Sequence, residues 1–332
     1  MAIVTLADIQ QAQRRLKGIA VRTPLFEAHL NDDVPSAGQL FLKLENLQPI
    51  GAFKLRGAYN KIASLSEAER KPGVIAYSSG NHAQGVAFAA RALGVKAVIV
   101  MPSNAPPIKL EATAALGAEI VKVGASSEER RLKAEELAAK YGYAIVPPYN
   151  DEKIIAGQGT LGLEILQDLP EVELVLTPVG GGGMISGVAA AIKLSKPSVA
   201  VIGVEPELAA DAAASLKSGH LVSFPAEKVT QTIADGLRTQ SVGAINLEHM
   251  RAYVDDIVTV SESEIREAMR RLAAHPKTVA EPSGAVAVAG FLFRQQQLPR
   301  QQLNVAVISG GNIEPAMLDE LRNQTATVER GA

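Results

Sequence analysis

The sequence predicts an α/β fold of the doubly wound kind, with parallel sheets covered by helices. Three observations carry this. Short apolar runs alternate with helix-patterned segments along most of the chain. The apolar runs are continuous, as expected of strands buried on both faces. Glycine, proline and polar clusters mark each change of pattern.

Taken in order, "GVIAYSS" (residues 73–79) reads as a strand and "NHAQGVAFAARALG" (81–94) as a helix closed by glycine. "KAVIVMP" (96–102) is a strand stopped by Pro102, and "APPIKLEATAALG" (105–117) is a helix with prolines in its first turn. "AEIVKVG" (118–124) is a strand, "SSEERRLKAEELAAKYG" (126–142) a helix and "YAIVPP" (143–148) a strand. "DEKIIAGQGTLGLEILQDL" (151–169) is a helix, and "ELVLTPVGGGG" (173–183) runs from strand into loop. "MISGVAAAIKLS" (184–195) is a helix and "SVAVIGVEP" (198–206) a strand. "EPSGAVAVAGFLFRQQ" (281–296) is a helix, and "LNVAVISGGN" (303–312) a strand with a polar end. The strands between 74 and 146 form one compact set and those after 170 another. A small lobe over residues 73–147 is therefore expected, inserted in a large lobe formed by 1–72 and 148–332.

A chain of 332 residues, 47% hydrophobic and 20% charged, can bury the cores of about two domains. The formal charge of -2 points to neither nucleic acid nor an anionic membrane. The absence of cysteine excludes disulfides, thiolate nucleophiles and cysteine metal sites. The N-terminus lacks the pattern of a signal peptide, and no window of about 18 apolar residues suggests a membrane span. A soluble cytoplasmic protein is expected.

Open α/β sheets bind ligands beyond the carboxyl ends of their strands. One such end carries "SSGNHAQ" (78–84), a polar loop opening a helix whose free N–H groups favour an anion. A second carries "TPVGGGGMISG" (177–187), in which four glycines let the backbone approach a phosphate. No register of it gives the dinucleotide fingerprint G-x-G-x-x-G, and no G-K-[ST] follows. A third carries "VISGGN" (307–312). In "PIGAFKLRGAYNKI" (49–62), Lys54 reads either as a surface lysine at a helix start or as a lysine held for carbonyl chemistry. A lysine and a monophosphate cup together suggest a phosphate-bearing aldehyde, and pyridoxal 5'-phosphate (PLP) meets those requirements.

The pieces "ENLQPIGAFKLRGA", "SSGNHAQGVA", "IAGQGT", "PVGGGGMISG", "GVEP", "TIADGL", "EPSGA" and "ISGGN" occur in one order between residues 22 and 312. By them the chain resembles the fold-type II PLP enzymes, within the threonine/serine dehydratase and serine racemase branch. The resemblance implies two open lobes with PLP in the cleft between them, a homodimer and an amino-acid substrate. It implies that Lys54 bonds the cofactor aldehyde, with Phe53 beside the ring. Asn81 and Asn150 would contact the cofactor, and Gly180, Gly181, Gly182, Gly183 and Met184 would cradle its phosphate. Ser309 would reach the pyridine nitrogen, and Ser78, Ser79, Asn81 and His82 would receive the substrate. A carboxylate in place of Ser309, ionised above a pKa of about 3.9 in water, would keep that nitrogen protonated. A neutral hydroxyl makes the ring a weaker electron sink and favours rapid β-elimination. The implied activity is an ammonia-lyase reaction, α,β-elimination of a β-hydroxy amino acid (serine, threonine or threo-3-hydroxyaspartate) to a 2-oxo acid and ammonia.

Two positions depart from the common pattern. Ala52 stands where the family often has serine. Ser79 matches the racemase and hydroxyaspartate dehydratase group, where this serine faces the lysine and can exchange the α-proton. "EPELAAD" (205–211) resembles that group's divalent-cation site, with Glu205, the Ala209 carbonyl and Asp211 as ligands for Mg²⁺, Ca²⁺ or Mn²⁺. About 20 residues follow "ISGGN", too few for a regulatory module, which implies a catabolic or broad-specificity form. Arg131 falls at a racemase-like position for a second substrate carboxylate. Other readings remain: an amino-acid racemase, a β-replacement synthase, a nicotinamide dehydrogenase or a non-catalytic metabolite-binding module.

Overall fold

The computed structural model describes residues 3–30, 38–78, 80–105, 107–124 and 126–331. Its strands are β1 (Leu25–Ala28), β2 (Gln39–Leu44), β3 (Val74–Tyr77), β4 (Ala97–Pro102), β5 (Glu119–Val123), β6 (Ala144–Ile145), β7 (Leu174–Pro178), β8 (Ala200–Pro206), β9 (Asp256–Val260) and β10 (Leu303–Ile308). They build a six-stranded sheet in the order β1-β2-β10-β7-β8-β9 and a four-stranded sheet in the order β5-β4-β3-β6. All named pairs are parallel except β1 with β2, an antiparallel edge that the sequence did not announce.

The continuous apolar runs have the cause inferred for them. In β10, Ala306 and Ile308 pack on one face among Ala285, Val288 and Ala289 of the helix Pro282–Phe293. Val305 and Val307 pack on the other among Leu161, Ile185 and Val188, from the helices Glu152–Asp168 and Gly183–Ser195. Both faces are dry, so period-two alternation disappears.

β2 escaped the sequence reading because a charge interrupts it. Lys43 is fully buried, and its Nζ donates to Glu164 Oε2 at 2.7 Å and to the Thr23 carbonyl at 2.6 Å. Beside it, Arg56 Nε donates to Glu45 Oε2 at 2.7 Å, and its Nη1 and Nη2 donate to Glu164 at 2.7 and 2.8 Å. Thr23 Oγ1 and Gln48 Nε2 satisfy further lone pairs of Glu45. Burial would raise the Glu45 carboxyl, but the Arg56 charge and its hydrogen bonds outweigh that and hold it below the usual range. This network joins β2, the turn Glu45–Leu47, the helix Lys54–Ser64 and the helix Glu152–Asp168.

Glycines let the two helices meet closely. A Cβ built on Gly157 would lie 2.6 Å from the Arg56 carbonyl oxygen, so "IAGQGT" is in part a packing surface. Strand ends from both sheets line the cleft described next.

Arg56→Met should destabilise the protein by about 3–5 kcal/mol, because it leaves Glu45 and Glu164 without their shared cation. The denaturant midpoint checks this. A loss below about 1 kcal/mol would mean the network is not closed as described.

Candidate functional site

A cleft of about 620 Å³ opens where the ends of β3, β7 and β10 converge. Its volume suits a small-molecule ligand. Lys54 is the first residue of the helix Lys54–Ser64 and projects into it. Its Nζ donates to the Pro148 carbonyl at 3.0 Å and lies 5.2 Å from the centre of the Phe53 ring. Burial alone pushes its ammonium from 10.5 down to about 8. The backbone of Gly85 presses against this helix start, where a Cβ would sit 3.2 Å from the Lys54 carbonyl.

The opposite wall follows β3. Ser78 Oγ accepts the Gly80 N–H at 3.3 Å, and the helix Asn81–Ala92 starts at Gly80 with no side chain capping it. Its first-turn N–H groups therefore remain available to an anion. His82 is buried, with Nε2 2.9 Å from the Val146 carbonyl. Burial first, and then the Lys54 charge, push its pKa down to about 3, so it is a neutral imidazole donating to Val146. Ser79 lies outside the described residues.

The glycine turn leaves β7 and opens the helix Gly183–Ser195, again with no side-chain cap. Gly181, Gly183 and Met184 line the cleft, whereas Gly180 and Gly182 shape the turn. Gly182 has φ +89°, in the left-handed region that favours glycine. A Cβ on Gly181 would penetrate the Tyr149 ring at 2.2 Å. The uncapped donors and close backbone form an anion cradle, which fits the phosphate of PLP. Ser309, just beyond β10, also lines the cleft, and its Oγ lies 3.5 Å from the Ser283 carbonyl. Asn150 is exposed and does not line the cleft, and its Oδ1 accepts the Ile245 N–H at 3.2 Å, capping the helix Ala244–Tyr253.

Several lining residues were missed by sequence reasoning. Arg131 is one position out of register for a pocket cation. Its guanidinium is tied to Glu128 and Glu135 on the outer face, while Arg130 lines the cleft. Successive helical residues diverge by about 100°, so only one of the pair can face inward. Lys109 and Asp235 form an ion pair of 2.7 Å at the rim. Glu281 is buried against Asn81, and burial first and then the Asp235 charge raise its carboxyl to about 7. Tyr149 packs under the glycine turn, and burial raises its phenol to about 12.

Away from the cleft, Glu205 ends β8 in full burial and accepts the Ala212 and Ala213 N–H groups at 3.1 and 2.8 Å. Asp211 is buried nearby, and neither of its carboxylate oxygens has a well-formed hydrogen bond. Burial raises both acids, Glu205 further through the Asp211 charge and Asp211 to about 7. Two adjacent buried carboxylates, of which Asp211 has both oxygens orphaned, fit a divalent cation. No cluster of three or more His, Asp or Glu able to hold a metal occurs among the described residues, so carbonyl and water oxygens would have to complete the shell.

The family model for pyridoxal-phosphate-dependent enzymes matches residues 17–310. The chain is 48% identical over 325 residues to an L-threonine ammonia-lyase of Thermotoga maritima, covering 97% of this chain and 79% of that one. It is 40% identical over 314 residues to an L-threo-3-hydroxyaspartate ammonia-lyase of Saccharomyces cerevisiae, covering 95% of each. The fold superposes on the structure of maize serine racemase with a TM-score of 0.91 at 34% identity, covering 99% of this chain and 100% of that one.

Amine acylation of the cofactor-free protein, followed by peptide mass spectrometry across pH, should label Lys54 with a midpoint near pH 8. A midpoint above about 10, as for a free lysine, would overturn the buried placement of Nζ.

Proposed function

The chain belongs to the family of pyridoxal-phosphate-dependent enzymes, and from this we propose that it is an ammonia-lyase acting on a β-hydroxy amino acid. The observation that carries the proposal is Lys54, a lysine depressed to about 8 that faces an uncapped helix start across one cleft. The names of the relatives support the reaction class.

The cofactor, when bound, supplies the electron sink that acidifies the α-proton of an amino acid. The chain supplies the rest. Lys54 Nζ can release and take up a proton near neutral pH, as a general base and acid must. Ser78 and the first-turn N–H groups of the helix Asn81–Ala92, the Asn81 backbone N–H among them, receive the substrate carboxylate. The glycine turn and the start of the helix Gly183–Ser195 hold the phosphate. Ser309 offers a neutral hydroxyl at the end of β10. Tyr149 closes the space beneath the glycine turn and keeps water from it.

Substrate choice turns on Arg130. Arg130 lines the cleft and carries the positive charge that a second substrate carboxylate would need, which favours threo-3-hydroxyaspartate among the candidates. A panel of serine, threonine and L-threo-3-hydroxyaspartate, read by 2-oxo-acid and ammonia release, tests both statements. Lys54→Ala should abolish release from all three, and Arg130→Leu should raise KM for hydroxyaspartate about tenfold or more over threonine, the worth of one charged contact. Ammonia release unaffected by Lys54→Ala would sink the lyase assignment.

The cation belongs to the same proposal. Glu205, Asp211 and the Ala209 carbonyl hold Mg²⁺, Ca²⁺ or Mn²⁺ away from the chemistry, so its role is to stabilise the fold around β8. A ligand of the folded state alone stabilises it by about 2.7 kcal/mol at a hundredfold excess over its Kd. Chelation should therefore lower the melting temperature, and Mg²⁺ should restore it. Identical melting curves with and without chelator would end the proposal.

A further inference from the structure

Asn81 is bound at both ends of its amide by residues far away in sequence. Its Nδ2 donates to Glu281 Oε1 at 2.6 Å, and its Oδ1 accepts from Asn312 Nδ2 at 2.7 Å. Asn312 Nδ2 also donates to the Ile50 carbonyl at 2.9 Å, which fixes the sense of the Asn312 amide. The chain of bonds can run only one way. With the Asn81 amide turned over, its oxygen would face the Glu281 carboxylate and its nitrogen would face the Asn312 nitrogen. Both contacts would be repulsive. The Asn81 amide is thus held with one N–H on Glu281, leaving its second N–H for the cleft that Asn81 lines.

The surroundings are built for this arrangement. Glu281 is 5% exposed and precedes the helix Pro282–Phe293, and its backbone N–H donates to the Gly310 carbonyl at 3.1 Å. A Cβ on Gly310 would lie 2.3 Å from Glu281 Oε1 and 3.1 Å from Asn81 Nδ2, so glycine there leaves room for the pair. Gly51 plays the same part for Asn312, since a Cβ would lie 2.3 Å from its Oδ1. Asn81 starts a helix packed on the four-stranded sheet, whereas Glu281 and Asn312 belong to the six-stranded side. The clamp therefore spans the cleft.

We propose that Glu281 is a positioning residue, which with Asn312 locks the Asn81 amide so that an N–H, and not the carbonyl, is offered to the ligand in the cleft. For a cofactor carrying an anionic ring oxygen, a fixed donor binds where a flipped carbonyl would repel. The proposal rests on the reading that PLP occupies this cleft. It adds that a carboxylate not itself among the reacting groups sets the polarity of one wall.

The test uses the holoenzyme and three variants: Glu281→Ala, Glu281→Gln and Gly310→Ala. The readouts are the position of the bound cofactor's visible band, the cofactor Kd and the melting temperature. Glu281→Ala should shift the band and weaken cofactor binding about tenfold, the worth of one charged hydrogen bond. Glu281→Gln retains an acceptor for Asn81 and should recover at least part of both. Gly310→Ala should mimic Glu281→Ala by displacing the carboxylate without removing it. Wild-type band and Kd in Glu281→Ala overturn this proposal alone. A fall in melting temperature with Gln no better than Ala, and with an unshifted band, also overturns it in favour of a packing role. Wild-type protein that takes up no PLP at Lys54 overturns the reading of the cleft together with it.

Discussion

The site depends on Arg56. Its guanidinium is buried between Glu45 and Glu164, and the same helix begins with Lys54, two residues earlier. A buried cation flanked by two carboxylates is costly to assemble and costly to break. It has one low-energy arrangement, so it fixes the rotation of the helix about its own axis. Lys43 and Thr23 close the network on the sheet side. The lysine that faces the cleft is thus aimed by charges on the opposite side of its own helix turn.

The two sheets then have to be held in a defined relation across the cleft. Among the described residues, contacts of two kinds contribute to this. The Lys109–Asp235 ion pair lies at the rim, partly in water, where such pairs contribute little. The Asn81–Glu281 bond lies inside, shielded, where a hydrogen bond to a charged group is worth more.

The parts of the fold visible in the sequence were those with uniform surroundings. β4, β7, β8 and β10 are apolar on both faces, so composition alone marks them. β2 is equally central but carries Lys43, and a paired buried charge looks the same in sequence as an exposed one. β1 and β9 were missed because each mixes polar and apolar residues at the sheet edges. The glycine turn and the "SSGNHAQ" loop were legible because dense glycine and polar residues at a strand end have few structural uses. Glu281 was not. It lies within the segment "EPSGA", but its role depends on a residue 200 positions away, and no local pattern encodes that. Arg130 was missed by one position, since the helix phase there rests on two adjacent arginines with equal claims.

One physical cause divides the labour among the titratable groups of the cleft. Removal from water penalises whichever form is charged. It lowers Lys54 to about 8 and His82 to about 3, and it raises Tyr149 to about 12. At neutral pH the imidazole is therefore uncharged and the phenol keeps its proton. Neither competes for the proton that Lys54 handles, and neither repels or neutralises the ammonium. Glu281 is also raised, to about 7, and its Oε1 is engaged by Asn81. Dehydration by the same walls thus leaves Lys54 as the group facing open cleft that can both give and accept a proton near neutrality. The selectivity comes from the shape of the cleft, with no dedicated neighbour needed to activate the lysine.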